Sequence, residues 1–244
     1  MRTSFHLIAY RALDVCNALE MGAIEAAVAR ADPPAGAAAL DIGCGNGAVA
    51  AMLARRFGLA VTAVERDPTM AALARERTAG SGATVVEAGS EAVLADLAPQ
   101  DLIVVIGATE AAAAGLRDPQ AVFERLRNHL RPGAHLLWGD LFWRAEPPEP
   151  LRMLVEASNT YLSDDGWRAA ARAAGFEVVT AQASSTQTWD RYTAAMDAAA
   201  RTWLADNPDA PEAPAVRASA DRVKAMFDFG RPHMGFGLYL LKAS

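Results

Sequence analysis

The residues with the clearest capacity for chemistry lie in one glycine-rich stretch, residues 39–47, whose sequence is ALDIGCGNG. Gly43 and Gly45 allow the backbone to turn sharply and to approach a ligand without a Cβ in the way. The next segment, from about residue 48 to residue 56, is predicted to be a helix whose free N–H groups and positive dipole end point back at the turn. Such a turn can hold the polar part of a nucleotide-like ligand, and the Asp41 carboxylate can accept hydrogen bonds from an ammonium group.

A second acidic residue follows at a distance typical of ribose recognition. Glu65 ends the next apolar run, residues 59–64, at roughly the 20-residue spacing where an acidic side chain meets ribose hydroxyls. Gly43, Gly45 and Ala48 also fit the G-x-G-x-x-G/A pattern of dinucleotide-binding turns. The pattern therefore predicts ribose recognition, and by itself it suits NAD as well as other nucleoside cofactors.

The full run at residues 41–47, DIGCGNG, adds a third glycine, Gly47. With this glycine the sequence resembles the class I S-adenosylmethionine-dependent methyltransferases, in which the stretch is the signature loop of the cofactor. The resemblance covers residues 38–183 and, more weakly, the C-terminal strand. It implies S-adenosyl-L-methionine as the cofactor and methyl transfer as the activity. An NAD-dependent oxidoreductase and a non-catalytic cofactor-binding protein are the alternatives, because a fold does not fix a function.

The resemblance also implies which residues contact the cofactor. Met70 is expected beside the adenine ring. After the third strand the sequence departs from the family, because Ser90 and Glu91 stand where an aspartate commonly accepts from the adenine amino group, and a hydroxyl is a weaker acceptor than a carboxylate. The predicted cofactor-binding residues are Asp41, Gly43, Cys44, Gly45, Gly47, Glu65, Arg66, Met70, Ser90, Glu91 and Gly107.

Methyl transfer from a sulfonium makes modest demands on catalytic side chains. It is a single in-line displacement, for which positioning supplies roughly 7–11 kcal/mol and a general base about 3–5 kcal/mol. If the acceptor is a hydroxyl group, a base helps, and Glu110 and Asp140 lie at predicted strand ends that face the cleft. A structural role as a capping carboxylate is the alternative for each.

Aromatic residues and one histidine are the candidates for binding the acceptor. His6 and Tyr10 lie on an N-terminal segment that often covers the cofactor pocket in similar methyltransferases, and Trp143 follows the fifth predicted strand. Trp189 and Tyr192 lie in an insertion before the last strand, where we expect them near the transferred methyl group. Core packing and dimerisation are the alternatives for these aromatic residues.

Alternation of apolar runs with helical patterns predicts the elements that position these residues. We expect an α/β fold with a Rossmann-like, mostly parallel seven-stranded sheet, an antiparallel last strand, helices on both faces and a helical cap. Residues 1–244 are predicted to form one domain, with an N-terminal helical segment at 3–31, broken if at all around Met21, and a helical lid insertion at 188–232. The last six predicted strands are residues 59–64, 84–88, 101–106, 134–139, 175–181 and 235–241.

Composition narrows the range of partners. The chain has 244 residues and a formal charge of -6, which argues against a nucleic-acid partner because phosphate backbones require a basic surface. The sequence also lacks the proline-rich loop that nucleobase and protein-glutamine methyltransferases carry after the fourth strand, so a small-molecule acceptor is expected. Two cysteines and no ligand spacing predict neither a disulfide framework nor a metal site,. Without a signal peptide or a membrane span, a cytoplasmic monomer or homodimer is expected.

Overall fold

A computed structural model describes residues 3–157 and 159–244 of the chain. The strands are β1 (Ala38–Ile42), β2 (Ala60–Glu65), β3 (Thr84–Glu87), β4 (Gln100–Ile106), β5 (Leu130–Trp143), β6 (Phe176–Ala183) and β7 (Met234–Ala243). The helices are α1 (Phe5–Arg11), α2 (Met21–Ala31), α3 (Ala48–Phe57), α4 (Pro68–Thr78), α5 (Ser90–Asp96), α6 (Thr109–Ala113), α7 (Pro119–Arg127), α8 (Glu149–Val155), α9 (Asp164–Ala173), α10 (Thr186–Asp206) and α11 (Ala213–Gly230).

The predicted fold class is confirmed. The strands form one sheet in the order β3-β2-β1-β4-β5-β7-β6, and β7 runs antiparallel to both of its neighbours while the other pairings are parallel. The chain order reverses at the β1–β4 pair, and in open α/β sheets the crevice beside such a switch point, at the carboxyl ends of the strands, is where ligands bind.

Hydrophobic clusters cover both faces of the sheet. Successive residues of β1 and β4 point to opposite faces, so Leu40 and Ile103 contribute to one cluster while Ala39 and Val104 contribute to the other. All four side chains are fully buried. Burial on both sides explains why these strands are continuous apolar runs, and it fixes the carboxyl end of each strand where the candidate site residues lie.

The N-terminal segment differs from its prediction. It is helical in two pieces, but α1 ends at Arg11 and α2 begins only at Met21, so the prediction of helix for residues 12–20 is wrong. Residues 12–20, here called the strap, are irregular, and the strap carbonyl of Leu13 accepts hydrogen bonds from side chains of other segments. In a continuous helix this carbonyl would instead accept from a backbone N–H of the next turn.

The helices of the insertion pack mainly against α1. Phe5, Ala9 and Leu13 form a cluster with Met196 of α10 and other residues of α10 and α11, separate from the clusters on the sheet. We call α1, α10 and α11 the helical cap. No helix in residues 3–157 and 159–244 is long and apolar enough to cross a membrane.

Candidate cofactor-binding site

A cavity of about 430 Å³ lies at the carboxyl ends of β1 to β4, beneath α1 and the strap. Its size falls in the range of small-ligand sites, roughly 300–1,000 Å³. Glycines of two strand ends, Gly43 and Gly107, form part of its wall. The side chains and backbone around it come from Ser4, His6, Tyr10, Cys16, Asn17, Ile42, Gly43, Gly45, Val64, Glu65, Arg66, Asp67, Met70, Ala88, Gly89, Ser90, Glu91, Ile106, Gly107, Ala108, Glu110 and Ala111.

The glycine loop between β1 and α3 requires its glycines for more than one reason. Gly43 and Gly45 have φ angles of +68° and +56°, which L side chains rarely adopt. A Cβ on Gly43 would also lie 2.5 Å from the Cβ of Ala108. Gly47 serves a different purpose, because a Cβ there would lie 2.8 Å from the Cα of Ala74 in α4. Gly47 therefore permits α4 to approach the loop and does not line the cavity.

Glu65 holds the loop and faces the cavity at the same time. Its Oε2 accepts from the Gly45 N–H at 3.1 Å, and its Oε1 accepts from the Asp67 N–H at 2.9 Å. These two backbone bonds fix the orientation of the carboxylate, while each oxygen keeps a further lone pair for another donor. Glu65 is thus a rigid acceptor at the end of β2, at the place where the sequence predicted ribose recognition.

Asp41 is a buried carboxylate that lacks a partner for one oxygen. Its Oδ2 has no hydrogen-bond partner, and burial, together with the charge of Glu65, raises the pKa of Asp41 to about 7. Asp41 borders a small space of about 20 Å³ that it shares with Cys16, Asn17 and Ile106. An unpaired buried acceptor is unfavourable, so a positively charged donor at this position would satisfy it.

Comparison with known proteins agrees with this geometry. The sequence model of a methyltransferase domain matches residues 39–133. A methyltransferase from Geobacter sulfurreducens, solved in complex with S-adenosyl-L-homocysteine, is 25% identical with a TM-score of 0.84, and the match covers 98% of each chain. A methyltransferase from Thiobacillus denitrificans, also solved with S-adenosyl-L-homocysteine, is 26% identical with a TM-score of 0.82 over 97% of each chain. No curated protein matches the sequence significantly.

The chain belongs to the class I S-adenosylmethionine-dependent methyltransferases. More distant structures share only the fold, among them a cyclopropane synthase from Mycobacterium tuberculosis at 16% identity and a TM-score of 0.74, over 91% of this chain and 83% of that one.

The far end of the methyltransferase cavity is bordered by β3 and the starts of α4 and α5. Met70 lies there with its side chain largely buried. Ser90 is buried, and its hydroxyl donates to the carbonyl of Ala111, so only its lone pairs remain to accept from a ligand. Arg66 and Glu110 form an ion pair at 3.5 Å on the cavity rim, and the Glu110 side chain is 59% exposed.

The methyltransferase structure brings together most of the residues that the sequence singled out. Asp41 and Cys44 border the small space beside the cavity. Those that line the main cavity are His6, Tyr10, Gly43, Gly45, Glu65, Arg66, Met70, Ser90, Glu91, Gly107 and Glu110. Those that line neither space are Gly47, Asp140, Trp143, Trp189 and Tyr192.

Asp140 does not face the cavity as predicted. It is buried, its Oδ1 accepts from the Leu141 N–H at 2.7 Å, and its Oδ2 accepts from the Thr109 hydroxyl. Burial raises the pKa of Asp140 to about 6. Because Thr109 is the first residue of α6, the carboxylate anchors the start of that helix, which is the capping role given as the alternative.

Trp143 and Trp189 lie in the hydrophobic core of the methyltransferase rather than in a cavity wall. The Trp143 indole N–H donates to Oε1 of Glu156 at 2.8 Å. Trp189 is 3% exposed, and its ring meets Phe227 edge to face with centroids 5.3 Å apart. Both rings bury a large apolar area beneath neighbouring helices, so the prediction that they line the acceptor pocket does not match their positions.

Tyr192 lines a second cavity, on the other side of the strap. This space of about 330 Å³ is formed by the strap together with Thr188, Arg191, Tyr192 and Ala195 of α10. The Tyr192 hydroxyl donates to the carbonyl of Cys16 at 3.3 Å. Asn17 lines both cavities, so the strap residue that borders the main cavity also borders the space beneath α10.

Two asparagines of the site were missed from the sequence. Asn17 donates through Nδ2 to the carbonyl of Ile106 at 3.0 Å, and a Cβ on Gly107 would collide with its side-chain amide. Gly107 at the end of an apolar run was a signal, but nothing pointed to a partner 89 residues earlier in the chain. Asn46 lies within the glycine loop itself, and its position between Gly45 and Gly47 was the signal that the sequence offered.

No cluster of three or more His, Cys, Asp or Glu side chains that could hold a metal ion occurs in the described parts of the chain.

Proposed function

We propose that this methyltransferase transfers a methyl group from S-adenosyl-L-methionine to a small-molecule acceptor by in-line displacement. The observation that carries the proposal is the unpaired, buried Asp41 oxygen, at a small space whose wall shares Gly43 and Gly45 with the cavity that the rigid Glu65 carboxylate lines. S-adenosyl-L-methionine combines an ammonium group with a ribose diol, and the two acids suit these two groups. The bound S-adenosyl-L-homocysteine of the Geobacter and Thiobacillus structures supports the same cofactor.

The residues present fit such a cofactor. Asp41 would accept from the ammonium group, and Glu65 would accept from ribose hydroxyls. Met70 and Ser90 would border the nucleobase, with the Ser90 oxygen as an acceptor. When bound, the cofactor supplies a methyl group activated by the positive sulfonium. The remaining contribution of the chain is to position both reactants and to exclude water.

We place the acceptor in the second cavity, on the α10 side of the strap. Asn17 lines both this cavity and the cofactor cavity, and Tyr192 forms part of the wall of the second one. Its volume of about 330 Å³ is that of a small-molecule site,. The formal charge of -6 also favours a small acceptor over a nucleic acid,. Glu110 remains a predicted base for a hydroxyl acceptor, although its ion pair with Arg66 would have to open first.

Calorimetry with a matched pair of acids tests the cofactor site. Glu65 and Glu87 are cross-strand partners at the ends of β2 and β3, but only Glu65 lines the cavity, whereas Glu87 pairs with Arg75 at 3.1 Å. We expect wild type and Glu87→Gln to bind S-adenosyl-L-homocysteine equally and Glu65→Gln to bind it about tenfold or more weakly. Binding of NAD to wild type is measured in the same way, because NAD is the cofactor of the alternative function.

Equal affinity for S-adenosyl-L-homocysteine in Glu65→Gln and Glu87→Gln would contradict the assignment of the cofactor site. Binding of NAD in preference to S-adenosyl-L-homocysteine would support the oxidoreductase alternative.

The acceptor assignment needs a separate experiment. Tyr192→Ala enlarges the second cavity, while Tyr161→Ala changes a tyrosine that does not line either cavity. With radioactive methyl donor and a library of small molecules, the acceptors found with wild type should show a raised KM in Tyr192→Ala and an unchanged KM in Tyr161→Ala. Methylation of only protein or nucleic acid by wild type would contradict the small-molecule proposal.

A further inference from the structure

The cofactor cavity is covered by α1 and the strap, which are not part of the sheet. Ser4 caps the start of α1 and lines the cavity together with His6 and Tyr10 of that helix, and Cys16 and Asn17 of the strap continue the cover. A helix as short as α1 is unstable by itself in water, and its apolar side packs against α10 and α11. Bonds between its C-terminal end and the sheet domain add to this packing in holding α1 over the cavity, and the ion pair of Arg11 with Glu76 of α4 at 3.3 Å is one of them.

Two further side chains bond to backbone carbonyls of the cover, and one of these carbonyls accepts from both. The Leu13 carbonyl accepts from Asn46 Nδ2 at 2.8 Å and from an Arg77 guanidinium nitrogen at 2.7 Å. The same two side chains reach further carbonyls of the cover, since Asn46 Nδ2 also donates to Tyr10 at 2.9 Å and Arg77 to Arg11 at 2.8 Å. The end of α1 thus obtains partners for carbonyls that the helix itself leaves unpaired.

Each donor lies on a segment that borders the cofactor site. Asn46 lies between Gly45 and Gly47 in the glycine loop, is 2% exposed, and accepts through Oδ1 from the Ala48 N–H at 3.0 Å. Arg77 lies on α4, the helix whose first turns carry Met70. The loop and the helix that border the cavity are therefore the same segments that hold its cover.

We infer that Asn46 and Arg77 are positioning residues that hold α1 and the strap over the bound cofactor and thereby set its residence time. The inference rests on the proposed function, because it takes the occupant of the cavity to be S-adenosyl-L-methionine or its product. The two side chains do not contact the reacting atoms. They act through the Leu13 carbonyl, so their loss should open the cover and leave the acids of the site in place.

A matched pair of arginines tests the inference. Arg55 donates to the carbonyl of Ala79 at 2.9 Å, just beyond the C-terminal end of α4, and does not reach α1 or the strap. Arg77→Met and Arg55→Met thus remove the same chemical group from the same region, and only the first releases the cover. Dissociation of S-adenosyl-L-homocysteine is followed by surface plasmon resonance, and amide hydrogen exchange is measured without ligand.

We expect Arg77→Met to raise the dissociation rate about tenfold, as the loss of charged hydrogen bonds predicts, and to leave the association rate within about twofold. Exchange should accelerate in residues 5–13 and stay unchanged in β1 and β4. Arg55→Met should match wild type in both measurements. Asn46→Asp is a second test variant, because it keeps the oxygen that accepts from the Ala48 N–H and removes the amide that donates to the Tyr10 and Leu13 carbonyls.

Equal dissociation rates and equal exchange at residues 5–13 in Arg77→Met and Arg55→Met would overturn the inference. This outcome is distinct from a failure of the proposed function, in which wild type itself would not bind S-adenosyl-L-homocysteine. If Asn46→Asp does not fold, the two arginine variants decide the matter by themselves.

Discussion

Replacement of the buried Asp41 by asparagine should stabilise the free protein and weaken its binding to the cofactor. The pKa of Asp41 is raised from its ordinary value of 3.8 to about 7, because burial and the charge of Glu65 disfavour the ionised form. The native state therefore holds this proton more tightly than the unfolded state does. The contribution of Asp41 to stability is fully present below about pH 4 and is lost as the pH rises towards 7 and beyond.

The magnitude follows from the two pKa values. At about 1.4 kcal/mol per pKa unit, the full effect at pH 8 is about 4 kcal/mol, and somewhat under half of it is already lost at pH 5. Asparagine carries no charge at either pH. The stability of Asp41→Asn relative to wild type should therefore increase by about 2–3 kcal/mol between pH 5 and pH 8.

Urea unfolding of both proteins without ligand at pH 5, 6.5 and 8 measures this difference. Calorimetry with S-adenosyl-L-homocysteine at pH 8 should show binding that is weaker by about 1.5–3 kcal/mol in the variant, because a charged hydrogen bond to the ammonium group is lost. Wild type should also release protons on binding near pH 7, which two buffers of different ionisation enthalpy reveal.

Asp140→Asn is the control. Asp140 is equally buried, but both of its oxygens have donors, so the amide of Asp140→Asn would face a donor and this variant should be less stable than wild type at pH 5. Because the pKa of Asp140 is raised only to about 6, its stability relative to wild type should rise between pH 5 and pH 8 by about half as much as that of Asp41→Asn. A stability difference between Asp41→Asn and wild type that does not change with pH would refute the reasoning, and so would unchanged affinity for S-adenosyl-L-homocysteine.

Further predictions address the loop, the ribose acceptor and the insertion. Gly45→Val should reduce affinity for S-adenosyl-L-homocysteine at least tenfold in calorimetry, because L side chains rarely adopt its φ of +56° and a Cβ there would lie 3.3 Å from the Cys16 Sγ,. Glu65→Ala should weaken the same binding by about 1–3 kcal/mol. Trp189→Ala should lower the free energy of unfolding in urea by about 3–5 kcal/mol and leave that affinity unchanged once folded. Tyr192→Phe should keep the mass of the protein in light scattering, whereas dissociation into monomers would show that the insertion is an interface.

Local patterns determined the sheet and the glycine loop. The apolar runs of β1 and β4 are buried on both faces of the sheet. A continuous apolar run is typical of a central strand, so these sequences predict central strands without knowledge of their neighbours. The backbone of the loop is constrained by the positive φ angles of Gly43 and Gly45, a property of those residues themselves. Glu65 was predicted from its spacing to the glycine loop along the chain. These features depend on contacts between residues that are close in sequence or on a periodicity that burial imposes.

Contacts between segments that are distant in sequence determined the conformation of the strap and the roles of Asp140 and Trp189. Asn17 reaches the carbonyl of Ile106, 89 residues away, and Asp140 reaches Thr109, 31 residues away. Neither pairing leaves a trace in local propensity, so the strap was predicted as helix and Asp140 as a base. The same holds for Trp189, since an aromatic residue at helical spacing fits a pocket wall and a core equally well. Only the packing of α11 onto α10, which places Phe227 against that ring, determines on which side of the helix the core lies.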